Sequence, residues 1–236
     1  MLAWKHKISA LSDPTKGYRL MKVLKSLHKI NPMKEKVRPI GLDLLHKCSG
    51  RVSTLGLSPY LETLLRAILF LGYYGCLRVG EMVHSSHGNH CLQHKDTGFS
   101  RGGVYRFTLN SFKHSLAPKT LLLSRADNWD LCPIRVLAEY YLVRPSIDGP
   151  LFVFQDGRVA TRAFVAKHLK DLVTRLGLDP KLYNTHSLRV GRASDLALAG
   201  ASPSVIKDTG RWNSDAYLNY VRFNLFHLPT PGVDLV

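Results

Sequence analysis

In the stretch that begins at Ser58, apolar residues fall at Leu61, Leu64, Leu65, Ile68 and Leu69, the spacing of one helix face. Ser58 stands where a cap belongs and Pro59 at the first helical position, so the pattern predicts a helix starting there. Gly75 punctuates it, and a second helix is predicted near Leu77. Towards the N-terminus, YRLMKVLKSLHKI carries Leu20, Val23, Leu24 and Leu27 at helical spacing. Asn31 to Pro39, NPMKEKVRP, combines prolines with basic residues and reads as a linker. A short helix around Leu42 to Lys47 is expected next, followed by a polar loop containing glycine.

The pattern changes between residues 89 and 124. VYRFTL alternates and TLLLS is short and apolar, with glycines and Ala-Pro between them. These runs predict a small antiparallel sheet of three strands, with its last turn around Lys113 to Lys119. Helical spacing then returns over Pro133 to Val143 and Thr161 to Leu176. A further helix opens at HSLR, from about Thr185, and stops at Gly200. A short one runs from Ser202-Pro203 to Gly210, and Ser214 is placed to cap a last one through Asn219-Tyr220. The expected class is mostly α with a small antiparallel sheet (α+β). The longest apolar run, Ala67 to Leu77, is about half of the ~20 residues a membrane span needs and is broken by glycines, so it reads as a core helix.

Charge narrows the possible partners. Lys plus Arg number 33 against 17 for Asp plus Glu, a formal net charge of +16. That excess, spread along the chain, points to a broad face for a polyanion, either nucleic acid or an acidic membrane surface. Cys48, Cys76, Cys91 and Cys132 form no C-x-x-C pair, which favours a reducing compartment over a disulfide framework. The N-terminus, MLAWKHK, shows no secretory signal. A soluble, non-secreted protein is expected.

Four short stretches carry candidate chemistry. HSLRVGR places His186, Arg189 and Arg192 at the mouth of a small-residue helix, where the helix dipole and two guanidinium forks suit an anion of phosphate size. YYGCLRVGEM puts Arg78 after an apolar helix, with Glu81 three residues on to orient it. LNSFKHS sets Lys113 at a strand end, with Lys95 and Lys119 as competitors. GRWNSDAYLNYVR carries Tyr220, with Tyr217 as its rival. Read singly, each has an ordinary structural explanation: surface cations, a solubilising turn lysine or a packed tyrosine. HSSHGNHCLQH holds His84, His87, His90, Cys91 and His94, a zinc set by residue type whose spacing matches no zinc pattern; no metal is expected.

The order R-x-x-E, hairpin lysine, H-x-x-R, G-R-W and a tyrosine before V-R resembles the tyrosine recombinase (integrase) family over residues 58–225. The GRWNSDAYLNYVR form is most similar to recombinases of eukaryotic mobile elements, the DIRS-like and Crypton-like groups, with phage-type enzymes as the alternative. The resemblance implies a catalytic-domain fold and DNA cleavage and rejoining without metal or cofactor. Tyr220 would attack a phosphodiester, forming a 3′-phosphotyrosyl link and releasing a 5′-hydroxyl. Arg78 and Arg189 would hold the non-bridging oxygens, Lys113 would protonate the leaving oxygen, His186 would hydrogen-bond the phosphate, and Glu81 would brace Arg78 or His186. Arg192 is expected on the DNA backbone or a helix end. The family's His/Trp position falls on Arg211 when counted back from Tyr220 and on Trp212 when counted forward from His186. Trp212 is favoured, because an indole N–H can donate to a phosphate oxygen.

The resemblance also divides the chain. Residues 1–40 would be the remnant of an N-terminal core-binding helical domain plus linker, 41–225 the catalytic domain, and 226–236 a C-terminal tail. So short an N-terminal part suggests a fragment or truncated copy, with weak and salt-dependent affinity for double-stranded DNA. Self-association as a tetramer on paired sites is expected, with no membrane partner. The compartment would be the nucleus in a eukaryote and otherwise the cytoplasm. Two alternatives are a non-catalytic DNA-binding module derived from a recombinase and a type IB topoisomerase-like enzyme.

Overall fold

The computed structural model of the protein describes residues 37–84, 91–111 and 117–221. The helix expected within residues 18–30, most of the linker, Lys113 and the C-terminal tail lie outside the described residues. Those described belong to one compact unit, Val37–Val236.

At its centre is α2 (Pro59–Tyr74), where the Ser58 hydroxyl accepts the Leu61 N–H at 3.4 Å. The predicted stripe is buried, except that Leu61 is only partly so. Ala67, Phe70, Leu71 and Tyr73 are buried as well, so the helix is enclosed on all sides in its second half. It packs against α1 (Leu42–Arg51), α4 (Pro133–Val143) and α6 (Ser187–Leu198). After α2 comes α3 (Val79–Met82), a single turn that starts two residues later than the sequence pattern places it.

Helix α1 is longer than expected. The glycine-containing stretch after Lys47 is helical through Arg51 and passes into a 3-10 turn, Val52–Leu55. Leu45, Cys48 and Val52 share one buried face across this boundary, and that burial outweighs the turn preference of Ser49-Gly50. No local side chain caps α1. The Leu42 N–H instead donates to Asp195 Oδ2 of α6 at 2.8 Å, a partner 153 residues away.

The sheet has the three antiparallel strands that the alternation predicts, β1 (Thr97–Phe99), β2 (Tyr105–Leu109) and β3 (Lys119–Leu123), in the order β1-β2-β3. Pairing of Tyr105 with Leu123 and of Leu109 with Lys119 fixes the register. Tyr105, Phe107 and Leu109 face the core, while Arg106 points to solvent.

Helix α5 (Arg162–Arg175) is capped by Thr161 Oγ1, which accepts the Phe164 N–H at 3.2 Å. Arg144 ends α4 and spreads its guanidinium over the carbonyls of Pro145, Ile147, Pro150 and Leu151 at 2.8–3.0 Å, fixing the loop that follows. The helix opened by HSLR starts at Ser187, with His186 and not Thr185 at its cap. In α7 (Pro203–Gly210) the Ser202 hydroxyl accepts the Val205 N–H at 3.4 Å. The predicted last helix is a 3-10 turn, Asp215–Asn219, capped by Ser214. Tyr217 and Tyr220 are three apart and both turn inward, which matches three residues per turn. Among the described residues no helix is long and apolar enough to cross a membrane. All four cysteines are buried free thiols.

Helix α6 passes so close to the segment before α1 that Ile40 N–H donates to Ser187 O at 2.9 Å. A Cβ on Gly191 would stand 1.8 Å from the Ile40 carbonyl oxygen, a backbone atom that cannot step aside. Gly191→Ala is therefore expected to lower unfolding free energy by about 3 kcal/mol, read from urea denaturation. An unchanged midpoint would show that the two segments do not meet.

Candidate active site

The site is built at three chain turns. At the first, α2 ends at Gly75 and the chain reverses through Cys76, whose φ of 48° is left-handed for a non-glycine residue. This sets Arg78 at the cap of α3. Glu81, at the third position of that helix, reaches back: its Oε2 accepts the Arg78 N–H at 2.8 Å and its Oε1 accepts Arg78 Nη1 at 2.9 Å. The R-x-x-E spacing is thus half of a capping box in which the carboxylate also holds the side chain. Glu81 is buried, whereas a quarter of the Arg78 side chain, 25%, remains exposed.

The second turn is the start of α6. The Asn184 side chain accepts the His186 N–H at 2.8 Å, which seats the imidazole at the helix mouth. One turn on, Arg189 is fully buried. Its Nη1 donates to the Cys76 carbonyl and its Nη2 to the Gly210 carbonyl. Its Cζ lies 4.3 Å from the centroid of the Trp212 ring and 5.5 Å from that of Tyr220. Carbonyl dipoles and aromatic faces here replace the water that this charge gives up.

The third turn closes α7. Arg211 adopts the left-handed cap conformation, φ 58°, and the Trp212 N–H donates to Lys207 O at 2.9 Å. The reversal sends neighbouring side chains to different places. Arg211 turns inward: Nη2 donates to Glu81 Oε2 at 2.7 Å and to the Cys76 carbonyl at 3.3 Å, and Nη1 to the Gly75 carbonyl at 3.1 Å. Trp212 lies over Gly210, where a Cβ would fall 1.7 Å from Cζ3 of the indole. The Trp212 ring is 4.8 Å from that of Tyr220, which in turn is 4.9 Å from His186. Trp212 Nε1 is buried with no hydrogen-bond partner among the described residues. The Ser194 hydroxyl of α6 donates to the Val190 carbonyl at 2.8 Å and has the Tyr220 carbonyl as a second, longer acceptor at 3.3 Å.

Burial, and then the charges of Arg189, Arg78 and Arg162, push the His186 imidazole down to about 4. At neutral pH it is uncharged, with one ring nitrogen a donor and the other an acceptor.

The structure therefore gathers Arg78, Glu81, His186, Arg189, Trp212 and Tyr220. Lys113 lies outside the described residues. Lys119 is held by Asp208, with Nζ to Oδ1 at 2.5 Å, and Lys95 is exposed on the 3-10 turn His94–Asp96. Tyr217 is a core residue, packed with Cys76, Ala193, Ile206 and Trp212. Arg192 stacks its guanidinium over Tyr73 and Tyr74, 5.5 Å from each. His84 is exposed and uses its backbone to pair with the start of α5, and His94 packs on Tyr141; His87 and His90 are outside the described residues. Among the described residues no group of three or more His, Cys, Asp or Glu is placed to hold a metal. The pattern of residue types gave no sign of Asp195, which accepts the Tyr73 hydroxyl as well as the Leu42 N–H. It gave none of the inward course of Arg211 either.

No family model matches the chain. It is similar to the "Integrase/recombinase xerD homolog" of Selenomonas ruminantium, 27% identical over 140 residues, 56% of this chain and 39% of that protein. The chain thus spans about two fifths of the length of its curated relative. Among solved structures it is similar to the XerH site-specific recombinase bound to difH substrate, with a TM-score of 0.60 and 16% identity over 82% of this chain and 53% of that one. It is similar also to the XerA recombinase, TM-score 0.59, 19% identical over 88% and 70%. The Tn1549 transposon integrase in complex with circular intermediate DNA gives TM-score 0.59, 17% identical over 94% and 72%.

The lowered His186 value predicts that the imidazole resonance lost in His186→Gln titrates with a midpoint near 4, read by NMR; a midpoint above 6 contradicts the burial seen here. Because the folded value lies below the unfolded one, the unfolded chain takes up this proton first. Stability contributed by the neutral ring is present above pH ~6.5 and declines as pH falls towards 4, a decline His186→Gln removes. Gly210→Ala is expected to push Trp212 out. With Trp4 and Trp129 replaced by Phe, its emission shifts to the red and stability drops by about 1–3 kcal/mol. An unshifted spectrum would mean that the indole does not lie on Gly210.

Proposed function

This chain folds as a tyrosine recombinase catalytic domain, and from that premise we propose that it breaks and rejoins double-stranded DNA through a covalent tyrosyl link, as in site-specific recombination or integration of a mobile element. The observation that carries the reading is the convergence of His186, Arg189 and Trp212 on the ring of Tyr220, with Arg78 near enough for its charge to act on His186. In this reading the Tyr220 oxygen attacks phosphorus. A Tyr–O–P bond forms, the bond to the 5′-oxygen breaks, and a 3′-phosphotyrosyl intermediate holds the energy for rejoining. The tyrosyl proton passes to neutral His186 or to solvent, and Lys113 supplies the proton that the 5′-oxygen takes.

Exposure sets an order of events. Arg78 reaches solvent and meets a non-bridging oxygen first. Arg189 lies beneath the Trp212 and Tyr220 rings, so it engages the phosphate as the Tyr220 ring swings out to attack. The indole N–H of Trp212 then has an acceptor in a phosphate oxygen. Arg211, committed to Glu81 and to main-chain carbonyls, is not part of this ring of donors. The net charge of +16 supplies the sequence-independent attraction, and self-association on paired sites belongs to the same reading.

The experiment is a nicked suicide substrate followed by a denaturing gel. The wild-type chain is expected to give a covalent protein–DNA band that Tyr220→Phe abolishes while DNA binding persists. Tyr217→Phe is expected to retain the band, since that ring is committed to the core. Binding without a band would leave a DNA-binding module, and relaxation of supercoils without a specific site would mark a topoisomerase.

A further inference from the structure

Arg211 occupies the one left-handed helix cap among the described residues that is filled by an arginine. A side chain in that conformation crowds the following carbonyl, so the local backbone alone favours glycine. What offsets the cost is the side chain, which meets Glu81 and the carbonyls of Gly75 and Cys76. Two of these contacts, Glu81 and the Cys76 carbonyl, each lead to a different one of the arginines assigned above to the phosphate. Glu81 also holds the backbone and side chain of Arg78, and the Cys76 carbonyl also receives Arg189.

Charge gives this arrangement its consequence. A buried carboxylate paired with Arg78 alone would neutralise that guanidinium and draw it away from an incoming phosphate. With Arg211 sharing the carboxylate, the trio keeps one net positive charge. Arg78 engages Glu81 through Nη1, leaving its other N–H groups for a phosphate oxygen. From these contacts we infer that Arg211 is a positioning residue: it shares Glu81 with Arg78, which leaves that trio a net positive charge, and the Cys76 carbonyl with Arg189, and so holds both arginines aimed without touching the phosphate itself. The inference rests on the reading of the site given above.

Two measurements on the full chain test it. Single-turnover cleavage of the suicide substrate, with enzyme saturating, compares wild type with Arg211→Gly, Arg211→Lys, Arg78→Ala and the Arg78→Ala/Arg211→Gly double variant. Glycine suits the left-handed backbone, so Arg211→Gly removes the side chain and relieves the strain together. Its DNA affinity is expected to stay near wild type while cleavage slows about a hundredfold. Arg211→Lys, which keeps a cation on Glu81, is expected to recover at least about tenfold of that rate. The double variant should lose clearly less than the product of the two single losses, because Arg211 acts in part through Arg78.

The second measurement needs no cleavage. In the DNA-free protein the His186 imidazole reports the local positive potential. Its NMR midpoint is expected to rise in Arg211→Gly, as Glu81 neutralises Arg78, and to stay low in Arg211→Lys. A midpoint unmoved in Arg211→Gly, full multiplicative loss in the double variant, or loss of DNA binding instead of cleavage each overturns the inference. Should no chain form the covalent band, the functional reading falls, and the His186 midpoint alone then decides whether Arg211 holds the site in shape.

Discussion

Three guanidinium groups, those of Arg78, Arg189 and Arg211, meet beside a single buried carboxylate, Glu81. Like charges brought together away from water repel strongly, and the fold is arranged around that repulsion. Four main-chain carbonyls, those of Gly75, Cys76, Thr209 and Gly210, point inward and receive arginine N–H groups. Two of them are there because Cys76 takes a left-handed turn, and a third ends α7. The end of α2, the start of α6 and the end of α7 are thus held at one point by polar contacts that none of them makes alone.

The remaining architecture keeps those three ends in register. Asp195, further along α6, accepts from the Tyr73 hydroxyl of α2 and the Leu42 N–H of α1, tying three helices nearly two turns on from Arg189. Gly191 lets α6 lie against the Ile40 backbone, and Gly210 lets the indole of Trp212 fold over the Arg189 guanidinium. Neither glycine is needed for its dihedral angles. Both are needed because a single methyl group would collide with a neighbour. Beside this cluster His186 stays neutral, which leaves it free to accept a proton where a charged imidazole would not.

Local order along the chain was open to reading from the residues. The stripe from Leu61 to Leu69, the Ser58, Thr161 and Ser202 caps, the Pro133–Val143 helix and the three-stranded sheet all follow from side-chain periodicity and hydrogen bonds within a few residues. The same reading went astray where partners were distant. It ended α1 at Lys47 because it had no knowledge of the buried face shared with Val52. It drew a regular last helix where the inward-facing tyrosines impose a 3-10 turn.

The sequence by itself determined which chemical groups the protein owns and their order along the chain: Arg78 and Glu81, His186 and Arg189, the Arg211-Trp212 pair and Tyr220. Counting positions could not separate Arg211 from Trp212, because adjacent residues differ by one step in any count. Only the tertiary structure decided that the arginine enters the core and the indole covers Tyr220. The physical reason is the left-handed turn at Arg211, which directs the two side chains apart, and the buried charge of Glu81, 130 residues distant, which draws the guanidinium inward beside that of Arg78.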